Sequence, residues 1–112
     1  ARKVYVSGNY AYVADRFSSL QIINIENPEN PTFASSHGTT SSVTDVYISG
    51  NYAYIAAGHS GLQILNIVNP VNPTLAASYD FPAQANGLYI SGSYAYVAAD
   101  YSGLQIIDLL PE

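Results

Sequence analysis

The sequence predicts an all-β fold made of repeated, four-stranded antiparallel units. One stretch occurs three times, as NYAYVADRFSSLQIINI, NYAYIAAGHSGLQILNI and SYAYVAADYSGLQIIDL, and the glycines that precede it stand at positions 8, 50 and 92, an interval of 42 residues. Each copy consists of short apolar runs bounded by Gly, Asn and Pro, without a helical period. A repeat of about forty residues with four short strands is typical of the blades of a β-propeller.

The repeat opens with a hairpin. Residues 4–7 read VYVS and end at Gly8-Asn9, a pair that tolerates the positive φ of a two-residue connection between strands. We therefore expect a first strand over 4–7 and a second over 10–15. Both faces of the second strand are apolar, which indicates that the sheet is covered on both sides.

The second half of the repeat contains a strong strand and a weak one. Residues 20–25, LQIINI, carry apolar side chains on both faces, and Pro28 and Pro31 end the strand because proline cannot donate to a ladder. Residues 32–37, TFASSH, are more polar, as suits the outer edge of a blade. The same four spans are predicted again 42 residues later.

The three copies define a single propeller segment over residues 1–112, with repeats at 4–45, 46–87 and 88–112. The third repeat holds only the first three strands. Propellers usually close with about four to eight blades, so three blades leave an apolar face at each end. We expect a partial propeller that is completed by oligomerisation, as a cyclic homo-oligomer of two or three chains joined head to tail.

The composition is rich in tyrosine, with eleven tyrosines and no tryptophan. Nine of the tyrosines recur at three equivalent positions of the repeat, and such recurrence indicates packing of blade against blade. Together with the first leucine of each third strand, six of them form the predicted inter-blade packing set: Tyr10, Tyr12, Tyr52, Tyr54, Tyr94, Tyr96, Leu20, Leu62 and Leu104. Tyrosines standing free on a rim would instead suit a carbohydrate.

The charge balance argues against two classes of partner. The chain has three Lys and Arg residues against eight Asp and Glu residues, for a formal net charge of −5. Nucleic acid and anionic membranes both require a basic surface, and the apolar runs are too short to cross a bilayer. We expect no nucleic-acid partner and no membrane insertion. The absence of cysteine excludes disulfides without fixing the compartment.

The repeat resembles the LVIVD repeat family. The matching stretches are LQIINI, LQILNI and LQIIDL, each preceded by a YAYVA-type strand, and the first two are followed by Asn-Pro and a second Pro. The resemblance departs at Asn24 and Asn66, where the family usually has Asp, and at Pro111 and Glu112, which replace the Asn-Pro. It implies a β-propeller, mostly in secreted or surface-associated proteins, and supplies no catalytic residue.

Residues of the types that can catalyse reactions or bind metals are present, but they are scattered through the sequence. His59 is equivalent to Phe17 and Tyr101, and His37 to Tyr79, so both positions accept an aromatic ring. Asp15 and Asp100 stand where the second strand meets the turn that follows it, and Asp45 and Asp80 stand in return segments, without the converging oxygens that calcium needs. Ser18, Ser60 and Ser102 recur without a base beside them. We expect no catalytic residues, no cofactor and no metal, and therefore no enzyme.

Amide side chains form the remaining polar set. Gln21, Gln63 and Gln105, with Asn24, Asn66 and Asp108, lie on strands that are otherwise apolar. We expect them to bond to the backbone of a neighbouring strand or blade, the alternative being a ring of amides around a central channel or on a rim.

Two functions from different classes follow. The leading hypothesis is a non-catalytic interaction scaffold that assembles with itself into a closed ring and whose rims bind another protein or nothing specific. The alternative is a lectin-like propeller that binds a glycan or small ligand through rim tyrosines and amides.

Overall fold

The chain forms three antiparallel sheets in sequence order. The computed structural model describes residues 3–15, 19–38, 43–58, 61–79, 85–99 and 103–108. Blade 1 comprises β1 (Lys3–Ser7), β2 (Tyr10–Asp15), β3 (Ser19–Asn24) and β4 (Thr32–Gly38). Blade 2 comprises β5 (Asp45–Ser49), β6 (Tyr52–Ala56), β7 (Leu62–Asn66) and β8 (Thr74–Tyr79). Blade 3 comprises β9 (Ala85–Ser91), β10 (Tyr94–Ala99) and β11 (Gly103–Asp108). The prediction of an all-β fold of antiparallel units is confirmed.

Strand boundaries agree with the sequence to within one residue, except at the first strand of the third repeat. Asp45, predicted in a return segment, is the first residue of β5, where it pairs with Ala56. Likewise β9 begins at Ala85, three residues before the predicted start. The prediction for Asp45 was wrong because the alternation that marks a strand begins only at Val46.

Tight glycine turns join the first two strands of each blade, as predicted. Gly50 adopts a φ of 58°, and its equivalents Gly8 and Gly92 adopt 60° and 58°. The flanking residues Ser49 and Tyr52 are paired across the turn. A side chain at Gly50 would be strained by this left-handed conformation even though open space surrounds it.

Each blade has two faces that can be followed through the register. Tyr12 lies opposite both Tyr5 and Ile22, and these residues define face A; Val4 and Val13 lie on the opposite side, face B. The equivalent residues of blades 2 and 3 follow the same register.

Two hydrophobic cores lie between the blades. The first contains Tyr12, Leu20 and Ile22 from face A of blade 1, packed with residues of face B of blade 2 such as Val46 and Ile55. The second contains face A of blade 2 and face B of blade 3, including Leu62, Ile64, Ile90, Ala95 and Val97. Face A of one blade therefore packs on face B of the next, which explains why both faces of the repeat are apolar.

The first strands of the blades lie side by side. Contacts between blades are concentrated at β1 with β5 and at β5 with β9. The outer strands β4 and β8 pair with β3 and β7 across a register shift, between Ile22 and Ile23 in blade 1 and between Ile64 and Leu65 in blade 2. This arrangement matches blades that radiate from an axis near their first strands.

Candidate functional site

Face B of blade 1 is an exposed apolar surface. Val4 and Val6 on β1 are each 58% exposed, whereas their equivalents in blade 2, Val46 and Ile48, are 2% and 5% exposed. In blade 3 the equivalent Ile90 is 6% exposed. The side chains are alike in all three blades, so the difference comes from the presence or absence of a sheet in front of them.

Face A of blade 3 is exposed in the same way. Leu104 is 61% exposed and Ile106 is 55% exposed. Their equivalents Leu20 and Ile22 in blade 1 and Leu62 in blade 2 are fully buried, at 0%. The chain therefore presents two apolar end faces, and each is one half of the interface that joins blades inside the chain.

The predicted packing set divides between the cores and the surface. Tyr12 and Leu20 are brought together in the first core, with Tyr10 packed against it, while Leu62 belongs to the second core, with Tyr54 packed against it. Tyr52 and Tyr94 are 41% and 42% exposed, Tyr96 is half-buried, and Leu104 lies on the end face. The role of the full set in packing between blades stays a prediction.

A row of tyrosines follows the first strands. The ring of Tyr47 lies 5.2 Å from that of Tyr5 and 5.8 Å from that of Tyr89, centre to centre, in tilted and edge-on orientations. Burial raises the pKa of the Tyr47 hydroxyl, and the neighbouring Tyr5 and Tyr89 raise it further. The hydroxyl is therefore neutral near pH 7. The sequence shows that these tyrosines are equivalent, but only the sheet order reveals that they form a row.

Asp45 is a buried link between blades that sequence reasoning missed. It is 8% exposed, and its Oδ1 accepts a 2.8 Å hydrogen bond from the backbone amide of Val46. Its Oδ2 accepts a 3.0 Å bond from the amide of Leu88 in blade 3, and the Lys3 Nζ of blade 1 lies 3.6 Å from Oδ1. The available signal was the equivalence of Lys3 and Asp45, which places opposite charges on neighbouring strands.

The amides make different bonds from those expected. Gln21 Nε2 donates to the Ser19 hydroxyl at 2.8 Å, and Gln63 Oε1 lies 3.3 Å from His37 Nε2 of blade 1. Asn24 and Asn66 each accept a bond from the amide two residues later in the chain. The prediction of bonds to a neighbouring strand was wrong for these asparagines because each is the last residue of its strand and caps the turn that follows.

Among the described residues, no three His, Cys, Asp or Glu side chains come together in a group able to hold a metal ion. His59, Ser18, Ser60, Ser102, Asp80 and Asp100 lie outside the described residues, as does the side chain of Asp15. The described part of the chain also has no helix with the length and hydrophobicity needed to cross a bilayer.

Comparison with known families covers nearly the whole chain. A family model described as the LVIVD repeat matches residues 1–39, 41–81 and 82–109. These matches coincide with blades 1, 2 and 3. No curated protein sequence matches the chain.

Solved structures show the same fold at low sequence identity. A functionally unknown protein from Desulfotomaculum acetoxidans DSM 771 superposes with a TM-score of 0.82 at 20% identity, over 96% of this chain and 39% of that one. The computationally designed Ika8 protein gives a TM-score of 0.78 at 12% identity, over 95% of this chain and 32% of that one. The designed Ika4 protein gives 0.57 at 10% identity, over 96% of this chain and 89% of that one. The chain thus spans about two fifths or less of the first two structures.

Proposed function

The chain belongs to the LVIVD repeat family, a family of β-propeller repeats, and from this premise we propose that it is a non-catalytic scaffold that joins copies of itself head to tail into a closed ring. The observation that supports the proposal is the pair of end faces. Face A of blade 3 and face B of blade 1 are the two halves of an interface that the chain already forms twice within itself.

The proposed joint reproduces the internal interfaces residue by residue. Leu104 and Ile106 would cover Val4 and Val6 of the next copy, as Leu20 and Ile22 cover the equivalent residues of blade 2. Fully burying a large apolar side chain contributes about 1.5 to 3 kcal/mol. Because the four residues at each joint are 55% to 61% exposed, covering them supplies about 3 to 7 kcal/mol, which approaches the net stability of a small domain.

Closure of the ring limits the number of copies. Two chains supply six blades, which lies within the usual range of about four to eight, and three chains supply nine. Head-to-tail contacts form a closed ring only when the rotation per copy divides a full turn. We therefore propose two or three chains, with two copies giving the ring of usual size.

Sedimentation equilibrium at micromolar concentration tests the proposal. We expect a particle of two or three times the 12.0 kDa chain mass. Val6→Asp and Ile106→Asp each place a charge on one end face and should yield monomers. A mixture of the two variants retains one intact pair of faces and should yield a heterodimer, which identifies the contact as head to tail. A wild-type monomer throughout the concentration range, or assembly that survives both substitutions, would overturn the proposal.

The lectin-like alternative has one observation in its favour. Tyr52 and Tyr94 are 41% and 42% exposed, and the Tyr52 ring lies 6.5 Å from that of Tyr54. Exposed tyrosine rings suit the apolar face of a sugar while their hydroxyls provide hydrogen bonds. Binding of a neutral oligosaccharide to the wild-type chain on a glycan array would favour this alternative.

A further inference from the structure

The turns between the third and fourth strands of blades 1 and 2 have the same backbone structure. We call residues 25–31 of blade 1 the glutamate turn and residues 67–73 of blade 2 the valine turn. The amides of Glu26 and Val68 donate to the preceding asparagine side chains at 2.8 and 2.9 Å. The amides of Glu29 and Val71 donate to asparagine side chains at 3.2 Å in both turns.

The backbone closes both turns identically as well. Asn30 donates its amide to the carbonyl of Asn27 at 2.9 Å, and Asn72 donates to the carbonyl of Asn69 at the same distance. Asn and Pro stand at the same positions in both turns, in ENPENP and VNPVNP. The conformation therefore depends on residues that the two turns share, and it requires neither glutamate nor valine.

The surfaces of the two turns differ in chemistry. Where blade 1 exposes Glu26 and Glu29, blade 2 exposes Val68 at 65% and Val71 at 58%. Leu75 on β8 is 53% exposed, and its equivalent Phe33 on β4 of blade 1 is 63% exposed, so the two turns differ at the glutamates and valines but not at this position. The valine turn belongs to the central blade, which packs on blade 1 through face B and on the three strands of blade 3 through face A.

The valine turn is also held in place. The Ser35 hydroxyl on β4 of blade 1 donates a 2.6 Å hydrogen bond to the carbonyl of Pro70. The turn is thereby fixed beside the outer strand of blade 1, the blade that carries the glutamate turn. A rigid apolar surface binds with little loss of conformational entropy, and clustered exposed apolar side chains commonly mark interaction sites.

We propose that Val68, Val71 and Leu75 form a docking surface for a partner protein segment that combines apolar side chains with basic residues. The apolar residues would cover the valines, and the basic residues would face Glu26 and Glu29 in the equivalent turn of the adjacent blade 1, on a chain of net charge −5. The same negative charge disfavours an anionic lipid surface. This proposal goes beyond ring closure, because it uses a turn of the central blade and not an end face.

Fluorescence anisotropy with three labelled synthetic peptides of equal length tests the proposal. The first peptide carries leucines interspersed with lysines, the second carries the same leucines with glutamates, and the third carries the lysines with serine in place of leucine. We expect the first peptide to bind wild-type protein at least about tenfold more tightly than either of the others, a difference of about 1.4 kcal/mol. Equal affinity for the first and third peptides would mean that the leucines do not contribute and that binding depends on charge alone, which would overturn the proposal.

The glutamate turn provides matched variants. Val68→Glu/Val71→Glu copies the blade 1 sequence into blade 2, and we expect it to weaken the first peptide's binding at least about tenfold. Glu26→Val/Glu29→Val makes the reciprocal change, and we expect it to reduce the preference for the lysine peptide over the glutamate peptide. Unchanged affinity in the first variant, or an unchanged preference in the second, would overturn the proposal.

Two further measurements test whether another copy of the chain or a lipid surface, and not a partner protein, covers Val68 and Val71. Sedimentation of Val68→Glu/Val71→Glu should give the wild-type mass; a smaller particle would mean that the valines contact another copy and would overturn the proposal. Vesicles of phosphatidylcholine with phosphatidylserine should not bind the wild-type protein; binding that the double variant abolishes would identify a lipid surface instead. If copies of the chain do not close into a ring, sedimentation of the wild-type protein shows a monomer, and this result is independent of peptide binding.

Discussion

Blade 2 and the end face of blade 3 carry nearly the same sequence in very different surroundings. Leu62 on β7 is fully buried, and its equivalent Leu104 on β11 is 61% exposed. Val46 and Val4 differ in the same way, at 2% and 58%. The apolar side chains on the face of a blade are thus buried where another blade packs on that face and exposed where none does. Stability in such an array is set by interfaces between neighbours as much as by each repeat.

The largest expected effect contrasts the two leucines directly. Leu62→Ala removes a side chain from a filled core, and such substitutions cost about 2 to 5 kcal/mol. Leu104→Ala removes an exposed side chain and should change the free energy of unfolding of the isolated monomer by less than about 0.5 kcal/mol. Urea unfolding of both variants in the monomeric Val6→Asp background measures the contrast.

Assembly of copies should reduce the difference between the effects of Leu62→Ala and Leu104→Ala on stability. If copies join through Leu104, Leu104→Ala in the otherwise wild-type chain lowers the unfolding midpoint more at high protein concentration than at low concentration. A concentration-independent midpoint for both the wild type and Leu104→Ala would contradict the ring. Leu62→Ala serves as the reference, because its cavity lies within one chain.

The contrast also marks how far the sequence alone can predict this molecule. The repeat, the hairpin glycines and the two-sided apolar pattern predicted the strands, since each depends on residues close together in the chain. The exposure of Leu104 could not be predicted from its own stretch, because LQII is identical at residues 20–23 and 104–107. The count of three repeats predicts an uncovered apolar face at each end of the chain, and the order of the sheets shows that Leu104 lies on one of these faces.

The polar contacts were the least predictable part. Asp45 lies in an otherwise unremarkable polar stretch, and its bond to Leu88 spans 43 residues. From the sequence, the prolines and asparagines of the valine turn predict only the end of a strand, because they dominate the local pattern. The valine turn and the glutamate turn differ in surface chemistry, but this difference indicates a binding surface only once the structure shows that both turns have the same conformation and are exposed.

A smaller effect is expected when the central blade's Asp45 is compared with its equivalent Lys3 in blade 1. Asp45→Ala leaves the amides of Val46 and Leu88 without their carboxylate partner, which should cost about 1 to 3 kcal/mol. Lys3→Ala removes only an ion pair whose lysine side chain is 57% exposed, worth about 0.2 to 1 kcal/mol. Equal losses in urea unfolding would show that the ion pair, and not the amide bonds, accounts for the contribution of Asp45.

The smallest effect concerns Tyr47 of the central blade and Tyr89 of the end blade, and it is visible only at alkaline pH. Burial, and then the neighbouring tyrosines, raise the pKa of Tyr47 in the folded chain, whereas an unfolded tyrosine titrates near pH 10. The unfolded chain therefore loses this proton first, so the contribution of Tyr47 is complete below about pH 10 and is lost as pH rises through its folded pKa. Tyr47→Phe should make the free energy of unfolding fall less steeply between about pH 9 and about pH 11. Part of the slope should remain, because burial also raises the pKa of Tyr12 and of Tyr54.

Tyr89→Phe, at a residue that is 61% exposed, leaves the burial of Tyr47 in place and should keep most of the wild-type slope. Urea unfolding across this pH range decides the matter, and a steeper fall in Tyr47→Phe than in the wild type would contradict the assigned sign.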